Sequence, residues 1–338
     1  MNILYHVATL LPKMPQAEAI SQEIVALRGH LGGDVVYINP NQQFPLYVPR
    51  LLFGFHKLME LRSREADLGL HHVYNPDPFP FPYVRMLRRP VVYSVTCGVS
   101  DRRPDMAFFS SLAAIAVPDE RSLKRLRAWG LENAVPVHTG IDTGRFTCSP
   151  LPLRSEIRLM VGSAPWTKGQ FQTKGVEALL LAARQAPHLR LVFLWRQVLA
   201  DEMERRVRRM NLDKQVMVLN RQVDVNEILA GVHASITLAA APGIVKSYPH
   251  SLLESLAAGK PVLVSRAIPM ADYVEQTGCG KVVESVTPIG ILAAIESLAR
   301  DYGELQQVAQ QVGQQDFSLQ NMIASYGRLY EHVCKSTG

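Results

Sequence analysis

The chain has 338 residues, of which 47% are hydrophobic and 20% charged, and its formal net charge at pH 7 is +6. This composition excludes a disordered protein, and the length suits two domains that each bury their own core. The mild positive charge comes without an aromatic-basic motif or a recognition helix. It therefore argues against a nucleic-acid partner and favours an anionic ligand or an anionic membrane surface.

The cysteines bear on the compartment of the protein. Cys97, Cys148, Cys279 and Cys334 are scattered, without CxxC or Cys-His spacing, which favours a reducing compartment and argues against a structural zinc. No apolar run reaches the about 20 residues that a membrane span needs. The opening MNILYHVATLL predicts a strand rather than a signal peptide. We therefore expect a cytoplasmic protein.

The N-terminal segment predicts a βαβ unit with a parallel sheet. A strand at 2–9, a helix at 16–31 and a strand at 34–38 follow one another, and Gly32-Gly33 ends the helix. The loop after the first strand, LLPKMPQAE, contains proline and no glycine. Proline stiffens a loop, which disfavours a close approach of its backbone to a phosphate.

Residues 44–68 mix apolar and basic side chains and leave two interpretations open. A helix carrying Leu51, Leu52, Phe55, Leu58 and Met59 would dock inside its own domain. Alternatively, the same residues form an apolar-basic face that rests on an anionic membrane, at the inner membrane face and near a lipid-linked acceptor.

The rest of the first domain continues the alternation of strands and helices. Strands are predicted at 71–74, 90–95 and 113–117, and a helix at 119–129 begins with Asp119 as its cap. The loop NPDPFPFP follows the strand at 71–74. It lies at a carboxyl end, where open α/β sheets bind ligands.

A second alternation of strands and helices follows the predicted linker at 148–155 and indicates a second doubly wound parallel sheet. Its predicted strands are 157–161, 189–194, 216–219 and 234–238, and its predicted helices are 174–186, 199–209 and 225–232. Helices at 287–301 and 320–335 end the chain. The expected domains are 1–150 and 151–316, followed by a terminal helical segment at 317–338.

The segment PGIVKSYPHSLLESLAAGKPVLV, residues 242–264, carries the strongest signal for a ligand site. It predicts a turn, a helix that begins near Ser251 and ends at Gly259, and a buried strand at 262–264. Glu254 then lies in the first turn of the helix. Exposed amides at a helix start, beside a carboxylate, suit a phosphorylated ligand that also bears hydroxyls.

This segment resembles the donor-site signature of retaining glycosyltransferases of the GT-B fold, family 4 in particular, P-S-x-x-E-G-F-G-x-x-x-L-E-A-M-A-x-G-x-P-V-V. The positions in register are Pro242, Ser251 to Leu253, Glu254, Ala257, Gly259, Pro261 and Val262. Residues 135–146, VPVHTGIDTGRF, resemble the family's V-x-x-I-x-N-G-V-D-x-x-x-F. The resemblance implies an α/β protein with two Rossmann-like, doubly wound domains that face a cleft. It also implies a terminal helix that returns to the first domain.

The resemblance also implies how the donor is held. Glu254 would hydrogen-bond the nucleotide ribose. The backbone amides of Ser251 and Leu252, flanked by His250, would face the diphosphate. Lys246 stands where the family has a glutamate that contacts donor-sugar hydroxyls.

Further candidates come from the loops after earlier strands. VGSAPWTKGQFQTKGVEALLLAA resembles V-G-R-L-x-x-x-K-G-x-x-x-L-L-x-A, so Lys174 corresponds to the phosphate-binding lysine, and Ser163 replaces the arginine. Lys168 is a candidate for the missing positive charge. Asn220 and Gln222 lie where relatives hold the base. As ordinary loop residues, these last three need no ligand.

The implied function is retaining transfer of a hexosyl group from a nucleotide-diphosphate sugar to a glycan, a lipid-linked or a small-molecule acceptor. Lys174, Glu254 and Lys246 are the expected catalytic residues, and no metal or other cofactor is expected. Two alternatives remain: a non-catalytic nucleotide-sugar-binding protein, suggested by Lys246 and Ser163, and a GT-B sugar-nucleotide epimerase.

Overall fold

A computed structural model of the chain describes residues 2–12, 14–15, 18–42 and 46–336. It contains two compact units, Met1–Thr139 with Leu319–Gly338, and Gly140–Ser318. The division falls upstream of the predicted linker at 148–155, because the Ile141 amide donates to the Phe317 carbonyl at 2.9 Å and so ties this stretch to the second unit. The predicted helix start at Gln16 and the beginning of segment 44–68 lie outside the described residues.

The first unit is built on a six-stranded parallel sheet in the order β2-β1-β3-β4-β5-β6. Its strands are β1 (Ile3–Val7), β2 (Asp34–Tyr37), β3 (Leu70–Asn75), β4 (Val91–Val95), β5 (Ala114–Val117) and β6 (Ala134–Pro136). Its first helices are α1 (Ala19–Leu31), α2 (Leu58–Arg64), α3 (Met106–Ser110) and α4 (Glu120–Ala128). The central strands are buried along their length, as continuous apolar runs in a parallel sheet predict. Asp119 caps α4 by accepting from the Ser122 amide at 2.7 Å, which confirms the predicted cap.

The segment that precedes α2 differs from the single helix that the sequence suggested. Two short 3-10 turns, Arg50–Leu52 and Phe55–Lys57, come before α2, and Gly54 between them adopts a left-handed conformation with φ 83°. A side chain at Gly54 would collide with the ring of Tyr83, so this break is fixed by packing. Of the side chains expected to dock inside the domain, Leu58 is half-buried and the others are exposed.

The last helix, Leu319–Ser336, belongs to the first unit. Tyr326 and Tyr330 are buried against the sheet, where the Tyr330 hydroxyl lies 2.6 Å from His72 Nδ1 and the Tyr326 hydroxyl 3.0 Å from Ser94 Oγ. The end of the chain therefore completes the core of the unit that contains its beginning. Across the described ranges, no helix combines the length and apolar character needed to cross a membrane.

The second unit holds another six-stranded parallel sheet, in the order β12-β11-β10-β7-β8-β9. Its strands are β7 (Ile157–Val161), β8 (Leu189–Leu194), β9 (Val216–Leu219), β10 (Ala234–Thr237), β11 (Val262–Ser265) and β12 (Gly280–Val283). Its helices are α5 (Gln170–Thr173), α6 (Val176–Gln185), α7 (Ala200–Arg209), α8 (Val225–Ala230), α9 (His250–Ala257), α10 (Met270–Thr277), α11 (Pro288–Arg300) and α12 (Tyr302–Gln315). The two doubly wound α/β units confirm the predicted fold class. The strand order reverses between β7 and β10, and ligands of such sheets bind at the carboxyl ends of strands at this switch point.

Candidate functional site

Helix α9 begins directly over the switch point of the second sheet. Its second residue, Ser251, lies beside Gly162, which follows β7, and 3.5 Å (Oγ to Oγ1) from Thr237, which ends β10. The approach to Gly162 is close. A Cβ atom there would lie 2.9 Å from Ser251 Oγ and would overlap Ser251 Cβ. The missing side chain at position 162 is therefore what allows the helix start to sit between the two strand ends.

The first turn of α9 offers a ligand fewer backbone amides than the sequence suggested. The Leu252 and Leu253 amides both donate to the Pro249 carbonyl, at 2.9 and 3.2 Å. The Leu252 amide, predicted to face a phosphate, is thus engaged within the turn, and its side chain is fully buried. The Ser251 amide precedes these intrahelical bonds, at the position where a helix start can bind an anion.

Glu254 lies one turn into α9 and is half-buried. Burial raises the pKa of its carboxyl to about 7, and the positive charges of Arg196 and Arg145 oppose this rise. Both protonation states are therefore populated near neutral pH. A carboxyl in this condition is typical of a functional site, because an ordinary surface glutamate would be ionised throughout this range.

The two arginines that act on Glu254 were not singled out from the sequence. Arg196 is the second residue after β8 and is half-buried, and its Nη2 atom lies 3.4 Å from the carbonyl oxygen of Gly162. Arg145 is an exposed residue of the 3-10 turn Thr143–Arg145. The sequence does contain a signal for Arg196. This residue follows the end of the predicted strand 189–194, and parallel sheets bind ligands at the carboxyl ends of their strands.

Lys174, predicted as the first residue of a helix at 174–186, lies between α5 and α6, and α6 begins two residues later at Val176. Its Nζ donates to the carbonyl of Ala164 at 2.9 Å, which places the ammonium group against the loop after β7. The turn is fixed from the other side, because the Ala240 amide donates to the Thr173 carbonyl at 2.8 Å. Gly175, with φ 65°, packs so tightly that a Cβ would lie 2.9 Å from Leu238.

The remaining predicted residues lie at the same edge of the sheet. Ser163 is half-buried and Lys168 exposed, both in the loop after β7. Asn220 follows β9, and its Oδ1 accepts from the Gln197 amide at 2.8 Å. Gln222 is exposed two residues later.

Lys246 is half-buried in the loop that leads from β10 into α9, between the buried residues Val245 and Ser247. The contacts described above thus place Ser251 and Arg196 beside Gly162, and the charge of Arg196 acts on Glu254. Among the described residues, His, Cys, Asp and Glu side chains form no group of three or more that could hold a metal ion.

Comparison with known proteins gives one family match, over residues 149–316, to the model described as glycosyl transferases group 1. No curated protein matches the chain. Solved structures match over nearly the whole chain. Anabaena HepE in complex with UDP is 15% identical, with 98% of this chain and 100% of that chain covered and a TM-score of 0.70.

Two further structures are similar to the same extent. Sucrose-phosphate synthase from Thermosynechococcus elongatus is 15% identical over 99% of this chain and 100% of that chain, with a TM-score of 0.71. A glycosyltransferase from Rickettsia africae is 11% identical over 99% of this chain and 98% of that chain, with a TM-score of 0.73. At this identity the likeness establishes the fold, which is GT-B.

Proposed function

We propose that this protein, whose residues 149–316 belong to the glycosyl transferases group 1 family, transfers a hexosyl group from a nucleotide-diphosphate sugar to an acceptor with retention of anomeric configuration. The observation that carries the proposal is the start of α9 at the switch point, with Glu254 one turn further along the helix. A diphosphate at the first-turn amides would bring the ribose hydroxyls towards the Glu254 carboxylate, which can accept two hydrogen bonds.

The chemistry requires stabilisation of the leaving diphosphate while the anomeric carbon gains positive character. Fixed amides and cations near the phosphates provide this without reorganisation during the reaction. We assign the role to the amide of Ser251 and to the ammonium group of Lys174. The second unit supplies the residues of this proposal, and no metal or other cofactor is assigned to it.

Lys246 distinguishes this chain from the family pattern. An ammonium group donates hydrogen bonds and cannot accept them from sugar hydroxyls, so it cannot replace the carboxylate that the family has at this position. We assign Lys246 to an anionic part of the donor, either the diphosphate or a carboxylate on the sugar. In kinetics, Lys246→Ala should then raise the donor KM or lower kcat, and unchanged constants would remove Lys246 from the site.

The choice of donor has a starting point in the solved relatives. HepE structures contain UDP and UDP-glucose, so UDP-glucose leads the panel, followed by GDP- and ADP-sugars and by sugars that carry a carboxylate. Donor consumption is measured with glycan, lipid-linked and small-molecule acceptors, and NMR determines the anomeric configuration of the product. Inversion would refute the retaining mechanism.

The same assay separates the alternatives. A non-catalytic binding protein, which Lys246 favours, would bind the donor without consuming it. A sugar-nucleotide epimerase would change the donor sugar in the absence of any acceptor. Loss of turnover in Lys174→Met, with the fold retained, would connect the measured activity to the proposed site.

The apolar surface of the first unit supports peripheral contact with an anionic membrane. Leu46, Tyr47 and Met59 are each about 80% exposed, and Leu51 and Leu52 are half exposed. Lys57 and Arg62 lie in the same stretch of chain. Apolar side chains next to basic ones bind the interface of an anionic bilayer.

Vesicle co-sedimentation tests this contact. Wild-type protein should sediment with phosphatidylglycerol vesicles more than with phosphatidylcholine vesicles, and the double variant Leu51→Ser, Leu52→Ser should lose this binding. Ile289→Ser is the matched control, because Ile289 is 77% exposed but lies in the second unit. Equal sedimentation of the double variant and the wild type would refute the contact.

A further inference from the structure

We propose that Arg196 binds the donor diphosphate, supplying from the end of β8 the positive charge that Ser163 does not provide after β7. This assignment rests on the proposed function, since it names a ligand contact of the same site. Arg196 is not among the residues predicted from the sequence, although it lies within the range 149–316 that the family model matches.

The first argument is position. The guanidinium of Arg196 reaches across from β8 to the neighbouring strand end and lies 3.4 Å from the Gly162 carbonyl. Gly162 in turn contacts Ser251, whose amide belongs to the first turn of α9. Arg196 and the start of α9 therefore both lie beside Gly162. An anion held by the amides would lie within the reach of a long arginine side chain.

The second argument is the conformation of the loop that carries Arg196. Gln197 and Leu199 adopt left-handed backbone conformations, with φ of 68° and 57°. For residues with a side chain such conformations are strained. The loop is held in this shape by two hydrogen bonds, from the Trp195 indole to the Val198 carbonyl at 2.6 Å and from the Gln197 amide to Asn220 Oδ1 at 2.8 Å. This strained, hydrogen-bonded loop fixes the direction in which the Arg196 side chain leaves the sheet.

The third argument is electrostatic. Glu254 and a diphosphate would both be negative and would lie along the same short helix. Arg196 already acts on Glu254 through space, and a guanidinium with five donors can serve a carboxylate and a phosphate at once. Without such a cation the two anions would repel each other across a half-buried site. Arg196 therefore allows Glu254 and the diphosphate to lie close together.

The test compares binding of nucleoside diphosphates and monophosphates by isothermal titration calorimetry. UDP, GDP, ADP and CDP are titrated into the full chain, and the tightest is then compared with its monophosphate. The variants are Arg196→Gln and Arg196→Lys. Arg209→Gln is the charge-matched control, because Arg209 is exposed in the last turn of α7.

Arg196→Gln should weaken diphosphate binding roughly 10- to 100-fold, as expected for loss of a charge-assisted hydrogen bond. Monophosphate binding should change less, so that the preference for diphosphate shrinks. Arg196→Lys should restore part of the loss, and Arg209→Gln should behave as wild type. A purely structural role of Arg196 would lower both affinities by the same factor, which would overturn the assignment.

The outcomes separate this assignment from the proposed function. If the wild-type chain binds a diphosphate and Arg196→Gln binds it equally well, the assignment is overturned and the proposed function stands. Failure of the wild-type chain to bind any of the four diphosphates would overturn both. Circular dichroism of each variant establishes that the fold is retained, and Arg196→Lys provides the comparison if Arg196→Gln is unfolded.

Discussion

The raised pKa of Glu254 predicts that removing its charge stabilises the unliganded protein at alkaline pH. Glu254→Gln keeps the shape of the side chain but cannot ionise. Near pH 8 the wild-type protein must hold a carboxylate in a half-buried position. The variant has no such requirement, so its free energy of unfolding should be higher than that of the wild type.

The magnitude follows from the shift. The pKa of Glu254 rises from 4.5 to about 7, and each pKa unit corresponds to about 1.4 kcal/mol, so the full effect is about 3 kcal/mol. Because the pKa of Glu254 is higher in the folded than in the unfolded protein, protonation of this carboxyl stabilises the fold. This stabilisation is complete below pH 4.5 and is lost as the pH rises through about 7. The side chain keeps some contact with solvent, which reduces the effect. Between pH 5 and pH 8, the advantage of the variant should therefore grow by about 2 kcal/mol.

Urea unfolding followed by tryptophan fluorescence measures this difference in the unit that contains Glu254. Trp166 and Trp195 lie in the second unit and Trp129 in the first, so a Trp129→Phe background restricts the signal to the second unit. Wild type and Glu254→Gln are compared at pH 5, 6, 7 and 8. Glu227→Gln, at an exposed carboxyl in the first turn of α8, is the control and should show no growing advantage.

The result that refutes this reasoning is a constant difference between Glu254→Gln and wild type across the four pH values. It would mean that the carboxyl ionises in the folded protein as easily as in water. The positive charges of Arg196 and Arg145 would then balance the effect of burial on the pKa of Glu254. Nucleotide binding adds a second readout. Glu254→Gln should weaken it even though the variant is more stable, because the amide accepts fewer hydrogen bonds from ribose hydroxyls than a carboxylate does.

Three further changes test the local structure. Gly162→Ala should destabilise the second unit by about 1–3 kcal/mol in urea unfolding, because the added methyl group overlaps Ser251; Gly169→Ala, which meets no atom within 4 Å, should be nearly neutral. Gln197→Gly should raise the thermal midpoint by about 2–4 °C, because it relieves about 1 kcal/mol of left-handed strain; an unchanged or lower midpoint would contradict this strain. Asp119→Ala should lower the stability of the first unit by about 1 kcal/mol through loss of the cap, whereas Asp119→Asn, which can still accept, should retain most of it.

Much of the fold followed from the sequence because apolar runs and periodic faces are local signals. The strands 157–161, 189–194 and 216–219 were predicted with the bounds that the structure has, and α9 begins one residue before the predicted Ser251. Elements without such signals were missed. Helix α12 is rich in glutamine and β12 has only four residues, so neither shows a clear apolar pattern.

The site was predicted less completely because its geometry depends on neighbours in the sheet that are distant in the chain. Position 251 was found from its motif, but the contact with Gly162 depends on the pairing of β7 with β10. Arg196 was missed for a similar reason, since its importance arises from the adjacency of β8 and β7. The engagement of the Leu252 amide with Pro249 is a detail of the first turn that the motif does not specify.

The distribution of unfavourable local features argues for the site independently of any family resemblance. A half-buried glutamate with a raised pKa and two left-handed residues with side chains all occur at the carboxyl edge of the second sheet, in α9 and in the loop after β8. Each of these features lowers stability. The other left-handed residue with a side chain among the described residues, Asn211, lies between α7 and β9. Natural chains keep such features where function requires them. A ligand that accepts from the start of α9 and donates to Glu254 would offset the cost of burying this carboxyl, and a ribose joined to a diphosphate offers both groups.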